Sequence, residues 1–144
     1  MLVQQILKAK GDDAVFTIAP GTSVSDAAVT LSDNRIGALI VSDAGGAVVG
    51  VLSERDIVRN LGQRGPDCLQ DKVDDMMTRD PVCATRQDTG ESVVQRMTNG
   101  RFRHMPVIDD GKLIGVVTMG DVVKARLAEL AMENESMQGM IMGR

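Results

Sequence analysis

The chain has 144 residues, 43% of them apolar, with a net charge of −4 at pH 7 and a sequence pI near 4.9. That length suits one domain or two small, closely packed ones, and the acidic balance excludes the basic footprint that a nucleic-acid partner requires. No apolar run approaches the roughly 18 residues of a membrane span, and no signal-peptide pattern opens the chain, so no membrane partner and a cytoplasmic location are expected.

In chain order, residues 1–13 read as a lead-in segment. Val3, Ile6 and Leu7 fall at helical spacing, and Lys8, Lys10 and Gly11 follow as stop signals. Phe16 to Ile18 reads as a strand closed by Pro20-Gly21. Thr22 or Ser23 then caps a helix whose apolar face is Val24, Ala27, Ala28 and Leu31. Ile36 to Val41 is a near-continuous apolar strand, expected to be buried on both faces. A turn at Asp43-Ala44-Gly45-Gly46 returns the chain as Val48 to Leu52, and Ser53 starts a helix with Ile57, Val58 and Leu61 on its inner side.

Residues 63–76 form a polar linker containing Gly65-Pro66, from which Val73 to Met77 emerges as a short apolar segment. Pro81 leads into a second strand, Val82 to Thr85. Asp88 and Glu91 have capping-box spacing at the head of the next helix, which carries Val93, Val94 and Met97. The last helix is expected from Asp121 to about Glu135, with Met137, Met140 and Ile141 at i, i+3 and i+4 as a further short helical face in the tail.

The chain is internally duplicated. Gly50-Val51-Leu52-Ser53-Glu54-Arg55-Asp56-Ile57-Val58 recurs 65 residues later as Gly115-Val116-Val117-Thr118-Met119-Gly120-Asp121-Val122-Val123. Upstream, Phe16 to Ala19 matches Val82 to Thr85, and Arg35 to Val41 matches Arg101 to Val107, at an offset of 66. The one-residue difference falls in the turn that follows, where a deletion is cheapest. The repeats span residues 14–62 and 77–134, followed by a tail at 135–144. Each would be marginal alone at about 60 residues, so a shared core is expected. With two Phe and no Trp or Tyr, that core is aliphatic and Met-rich.

The repeated hydroxyl-x-x-aspartate is a good capping box, and an acid in the first helical turn suits the helix dipole. Taken alone, the motif is explained equally well by capping and by a ligand-binding role. The duplicated pattern, however, resembles the CBS (cystathionine-β-synthase-type) domain as a tandem, stand-alone pair of the bacterial kind. The resemblance rests on Gly50…Ser53-x-x-Asp56 and Gly115…Thr118-x-x-Asp121, with Met77-Thr78 and the basic strand Arg103-His104-Met105-Pro106-Val107 beside them. It implies an α+β fold of two pseudo-symmetric strand-helix-strand-strand-helix repeats.

The resemblance further implies that Asp56 and Asp121 accept hydrogen bonds from the hydroxyls of an adenosyl ribose, with Ser53 and Thr118 facing ribose or phosphate. A carboxylate with two oxygens matches a vicinal diol, and a helix N-terminus favours anions. Arg103 and His104 are the expected phosphate cations, with Arg55 a further candidate. The repeat-one equivalents of Arg103 and His104, Gly37 and Ala38, carry no charge. Adenine is expected between Ile18, Val82, Met105 and Pro106. Structural alternatives are a solvated Arg103 and a partly buried His104.

Cys68 and Cys83 lack C-x-x-C spacing and read as incidental thiols of a reduced compartment. One histidine and scattered acids make no metal site, and neither a catalytic triad nor a phosphate-cradling glycine loop is visible. The resulting expectation is a non-enzymatic regulatory protein that binds an adenine nucleotide and reports its level to a partner protein. AMP is the foremost ligand, with ATP, ADP, NAD(H) and S-adenosylmethionine as alternatives. A homodimer is expected through surplus apolar residues on the helices after Ser53 and Thr118. The competing reading is a nucleotide-free interaction module that uses the Met-rich C-terminal helix and tail.

Overall fold

The computed structural model of the protein describes residues 1–11 and 15–141. Residues 12–14, where the lead-in segment meets the first repeat, residues 142–144, and the side chains of Met140 and Ile141 lie outside the described residues.

The first repeat holds β1 (Thr17–Ile18), α2 (Val24–Asn34), β2 (Ala38–Ser42), β3 (Val48–Ser53) and α3 (Glu54–Arg64), preceded by α1 (Val3–Lys10). After a 3-10 turn at Pro66–Gln70 come α4 (Val73–Met76) and β4 (Thr78–Arg79). The second repeat then supplies α5 (Gly90–Gly100), β5 (His104–Asp109), β6 (Lys112–Thr118) and α6 (Met119–Ile141).

The sheet order is β1-β2-β3-β4, with β1 parallel to β2 and the other pairs antiparallel. The second sheet is the β5-β6 hairpin. The strand expected at Val82 to Thr85 reduces to a single parallel bridge, Ala84 to Val107, which occupies the position that Ile18 to Val41 holds in the first repeat.

Each core is completed by the helix that precedes the other repeat. Val3 and Ile6 of α1 are buried with Val93, Met97, Met105, Val107, Val117 and Val122 of the second repeat. Val73 of α4 and the adjoining Met77 are buried with Val24, Leu31, Leu39, Val41, Leu52 and Ile57 of the first. The backbone records the same exchange twice. Val24 N donates to Asp71 O and Val73 N to Thr22 O, while Gly90 N donates to Met1 O and Val3 N to Asp88 O, all within 2.8–2.9 Å. The expected single shared core is therefore corrected to two cores, interlocked by crossed helices.

Three local expectations also change. Thr89, not Asp88, caps α5 by accepting from Ser92 N. Asp88 instead accepts from Thr85 N at 2.8 Å and Arg96 Nη2 at 3.0 Å, which holds its carboxyl below the usual range. The linker is ordered: Cys68 is fully buried and Leu69 packs on the first core. The tail does not form a separate element, because α6 continues without a break to Ile141.

The repeated glycines mark where the crossed segments touch the sheets. A Cβ on Gly50 would lie 2.5 Å from Met77 Sδ and 2.9 Å from the Thr78 carbonyl oxygen, whereas one on Gly115 would meet only the flexible end of Leu7, at 3.0 Å and beyond. Gly50→Ala should accordingly destabilise the protein by about 2–3 kcal/mol, the scale of overpacking against unyielding backbone. Gly115→Ala should cost less than about 1 kcal/mol, since a side chain can move aside. Chemical unfolding followed by circular dichroism checks the order, and equal losses would contradict it.

Candidate functional site

Both motif copies sit at a strand-to-helix turn. Ser53 ends β3 in extended backbone, its Oγ accepts from Asp56 N at 3.2 Å, and Asp56 Oδ2 accepts from Ser53 N and Oγ at 2.9 Å each. In the second copy Thr118 N donates to Asp121 Oδ2 at 2.9 Å, and Asp121 N donates to Thr118 Oγ1 at 3.0 Å. Capping is therefore realised twice. It engages only one oxygen of each carboxylate, so capping and ligand binding are compatible.

The acids differ in their remaining partners. Asp56 Oδ1 lies 3.5 Å from Nη1 of the exposed Arg59. Asp121 Oδ2 lies 2.9 Å from Lys10 Nζ, which also donates to Val116 O at 2.9 Å. The first N–H of each motif helix is tied to the strand start of its own repeat, Glu54 N to Gly37 O and Met119 N to Arg103 O, both at 2.9 Å. These bonds fix the basic segment of repeat two relative to its motif.

Two clefts result, each built from both repeats. The first has a volume of about 730 Å³, a size typical of small-molecule sites. Repeat one contributes Val51, Ser53, Arg55 and Asp56, while Asp80 to Val82 and Arg101 to His104 come from beyond it. Six of the expected residues meet here: Ser53, Arg55, Asp56, Val82, Arg103 and His104. The second cleft, about 310 Å³, is lined by Lys10, Phe16, Gly37, His104, Val116 and Thr118 among others. Asp121, paired with Lys10, is not among its lining residues.

Three expected wall residues line neither cleft. Strand alternation turns Met105, with Val107, into the second core, where it is fully buried. Pro106 is buried too, its carbonyl accepting from Ala84 N at 2.8 Å. Ile18 packs against the first core. The wall positions are Val82 and its repeat-one counterpart Phe16, two residues before the bridge position in each repeat.

Sequence reasoning missed Arg59, Arg101, Asp80 and Phe102, all on the first cleft. Arg59 was within reach of pattern reading, since it stands three residues after Asp56 on one helix face. Arg101 matches Arg35, and both end a helix in left-handed backbone at φ 58° and 53°. Among the described residues no group of acids, histidine and thiols is arranged to hold a metal. Cys83 Sγ bonds the Pro81 carbonyl at 3.3 Å, and burial pushes its thiol pKa up, away from the reactive thiolate.

His104 borders both clefts. A Cβ on Gly37 would approach its Cε1 and Nε2 at 3.3 Å, so the bare backbone at 37 makes room for the imidazole. Burial is the largest influence and pushes the His104 pKa down. The charges of Glu54 and Asp121 pull it up, and those of Lys10 and Arg103 push it further down. The lowered pKa favours the neutral imidazole, and the cationic groups on the first cleft are the arginines.

A depressed folded pKa means that the unfolded chain binds the proton more readily. The stability His104 contributes is thus present above the ordinary histidine value of about 6.5 and is lost as pH falls through the lowered folded value. As the sole histidine, it gives a single imidazole resonance, whose titration midpoint should lie below that of a histidine in an unfolded peptide. A midpoint at or above it would contradict the burial argument.

Comparison with known proteins agrees with the duplication. The CBS domain family matches residues 12–63 and 73–128. The chain is 32% identical to the CBS domain-containing protein CBSX3, mitochondrial, of Arabidopsis thaliana, over 98% of this chain and 72% of that protein. Among solved structures, a CBS-domain containing protein from Agrobacterium tumefaciens superposes with a TM-score of 0.82 at 42% identity, covering 88% of this chain and 99% of the other. CBSX2, solved in complex with AMP, superposes with a TM-score of 0.69 at 32% identity, covering 81% and 90%. With both repeats matched and the motifs at equivalent turns, the chain belongs to the CBS domain family as a tandem pair.

Proposed function

We propose that the protein is a regulatory module that binds an adenine nucleotide, AMP foremost, in the first cleft and signals its occupancy to a partner protein. The carrying observation is the composition of that cleft. It brings together a carboxylate with one oxygen outside the capping box (Asp56), an apolar wall (Val82 and Phe102) and the guanidinium groups of Arg55, Arg101 and Arg103. Those are the three chemistries of a ribose diol, a purine face and a phosphate. The AMP complex of the relative CBSX2 supports the ligand class. Signalling has a physical basis because the cleft walls come from both repeats: a ligand touching both favours one relative arrangement of them and shifts the population toward it.

A homodimer is part of this proposal. Val123, Leu127, Leu130 and Met137 are 44–62% exposed and follow one another at spacings of four, three and seven along α6. That is the seam spacing of paired helices, and monomers rarely leave such a stripe in water. It is also the observation that favours the competing reading of an interaction module without nucleotide.

Calorimetric titration separates the two readings. Asp56→Asn should weaken AMP binding ten- to a hundredfold, the effect of removing a charged hydrogen-bond acceptor worth about 1.5–3 kcal/mol. Arg103→Ala should weaken AMP far more than adenosine, because only AMP carries the charge that the guanidinium meets. No AMP binding by the unmodified protein would leave the interaction-module reading standing. Light scattering should return twice the 15.4 kDa chain mass, and a monomer mass would remove the dimer.

A further inference from the structure

The two clefts are related by the duplication but are not equivalent, and the difference centres on Lys10. This lysine is the last residue of α1, the crossed helix of the second core, and its ammonium is held 2.9 Å from both Asp121 Oδ2 and the Val116 carbonyl oxygen. Lysine and aspartate side chains are only 22% and 20% exposed, which sets this pair apart from a solvated surface contact. Backbone bonds from Val3 N to Asp88 O and from Gln4 N to Arg86 O anchor the start of α1 to the loop before α5. Helix geometry then delivers Lys10 to the motif carboxylate. In the first cleft the crossed segment carries no such cation; the residues just beyond β4 that line it are Asp80, Pro81 and Val82.

Resting on the nucleotide reading above, we infer that Lys10 is a built-in counter-ion that takes the ligand's place at Asp121, closes the second cleft to a ribose diol and limits the chain to one nucleotide. A diol binds a carboxylate by donating two hydroxyl hydrogens. Here the ammonium already donates to Asp121 Oδ2, the oxygen that also serves the cap, so a diol reaching for both carboxylate oxygens must displace a strong charge-assisted bond. The smaller volume of the second cleft, about 310 Å³ against about 730 Å³, agrees with this occupancy. Lys10 is thus a specificity-determining residue. Through it the position of α1 is coupled to the second cleft, so that drawing α1 away would expose a second nucleotide site.

Equilibrium dialysis and calorimetry with AMP on the full chain test the inference. The unmodified protein should bind one AMP per chain. Lys10→Met keeps the aliphatic stem and frees the carboxylate, and should bind two. Lys10→Gln should behave alike, guarding against a folding defect particular to one variant, with circular dichroism confirming the fold. Asp121→Asn added to Lys10→Met should return the count to one. One site in both the unmodified protein and the lysine variants would overturn the inference and leave the nucleotide reading intact. Two sites in the unmodified protein, falling to one on loss of Lys10, would make Lys10 a ligand-holding residue and overturn it as well. No AMP binding by any of these proteins would overturn both.

Discussion

The structure depends on a reciprocal exchange. Neither repeat closes its own core: α1 fills the core of the second repeat, and α4 with Met77 fills that of the first. Two apolar clusters of this size are each marginal, and the exchange makes them conditional on one another, because unfolding one repeat pulls a core helix out of the other. The paired backbone bonds between Val24, Asp71, Thr22 and Val73, and between Gly90, Met1, Asp88 and Val3, hold the crossings in register. Gly50 then permits the close approach of the Met77–Thr78 segment to the sheet.

The same crossing builds the clefts. Because the chain passes from one repeat to the other beside each motif, every cleft receives its motif from one repeat and walls from both. Small sequence differences between the repeats therefore appear as differences between clefts. Arg103 against the uncharged Gly37 places a cation at the first cleft, and bare backbone at Gly37 admits the His104 imidazole that divides the two. Lys10 against Asp80 neutralises one motif acid while the other faces only an exposed guanidinium. A duplicated fold thus carries unequal electrostatics without departing from its pseudo-symmetry.

Capping and recognition share the same atoms economically. The hydroxyl-x-x-aspartate box satisfies backbone N–H groups at the helix start, work that must be done in any folded state. It also fixes the carboxylate rotamer before any ligand arrives. In the proposed function this preorganisation spares the ligand the entropic cost of ordering the acid.

Much was legible from the sequence alone: the duplication, the main strands and helices of each repeat, the tandem family, and the placing of Ser53, Arg55, Asp56, Val82, Arg103 and His104 along one cleft. These follow from local signals, namely hydrophobic period, caps and a motif repeated at a constant offset, which act over a few residues and survive in the text of the chain. The tertiary structure decided what depends on distant chain segments meeting. Met105 went into the second core because strand register, set by pairing with β6, puts it on the same face of β5 as Val107, and Pro106 on the opposite face is buried as well. The His104 pKa is lowered because burial outweighs the pull of the Glu54 and Asp121 carboxylates. Lys10 read as a helix stop signal and turned out to be the partner of an aspartate 111 residues away. No local pattern encodes that contact, since it exists only once the crossed helix has docked on the other repeat.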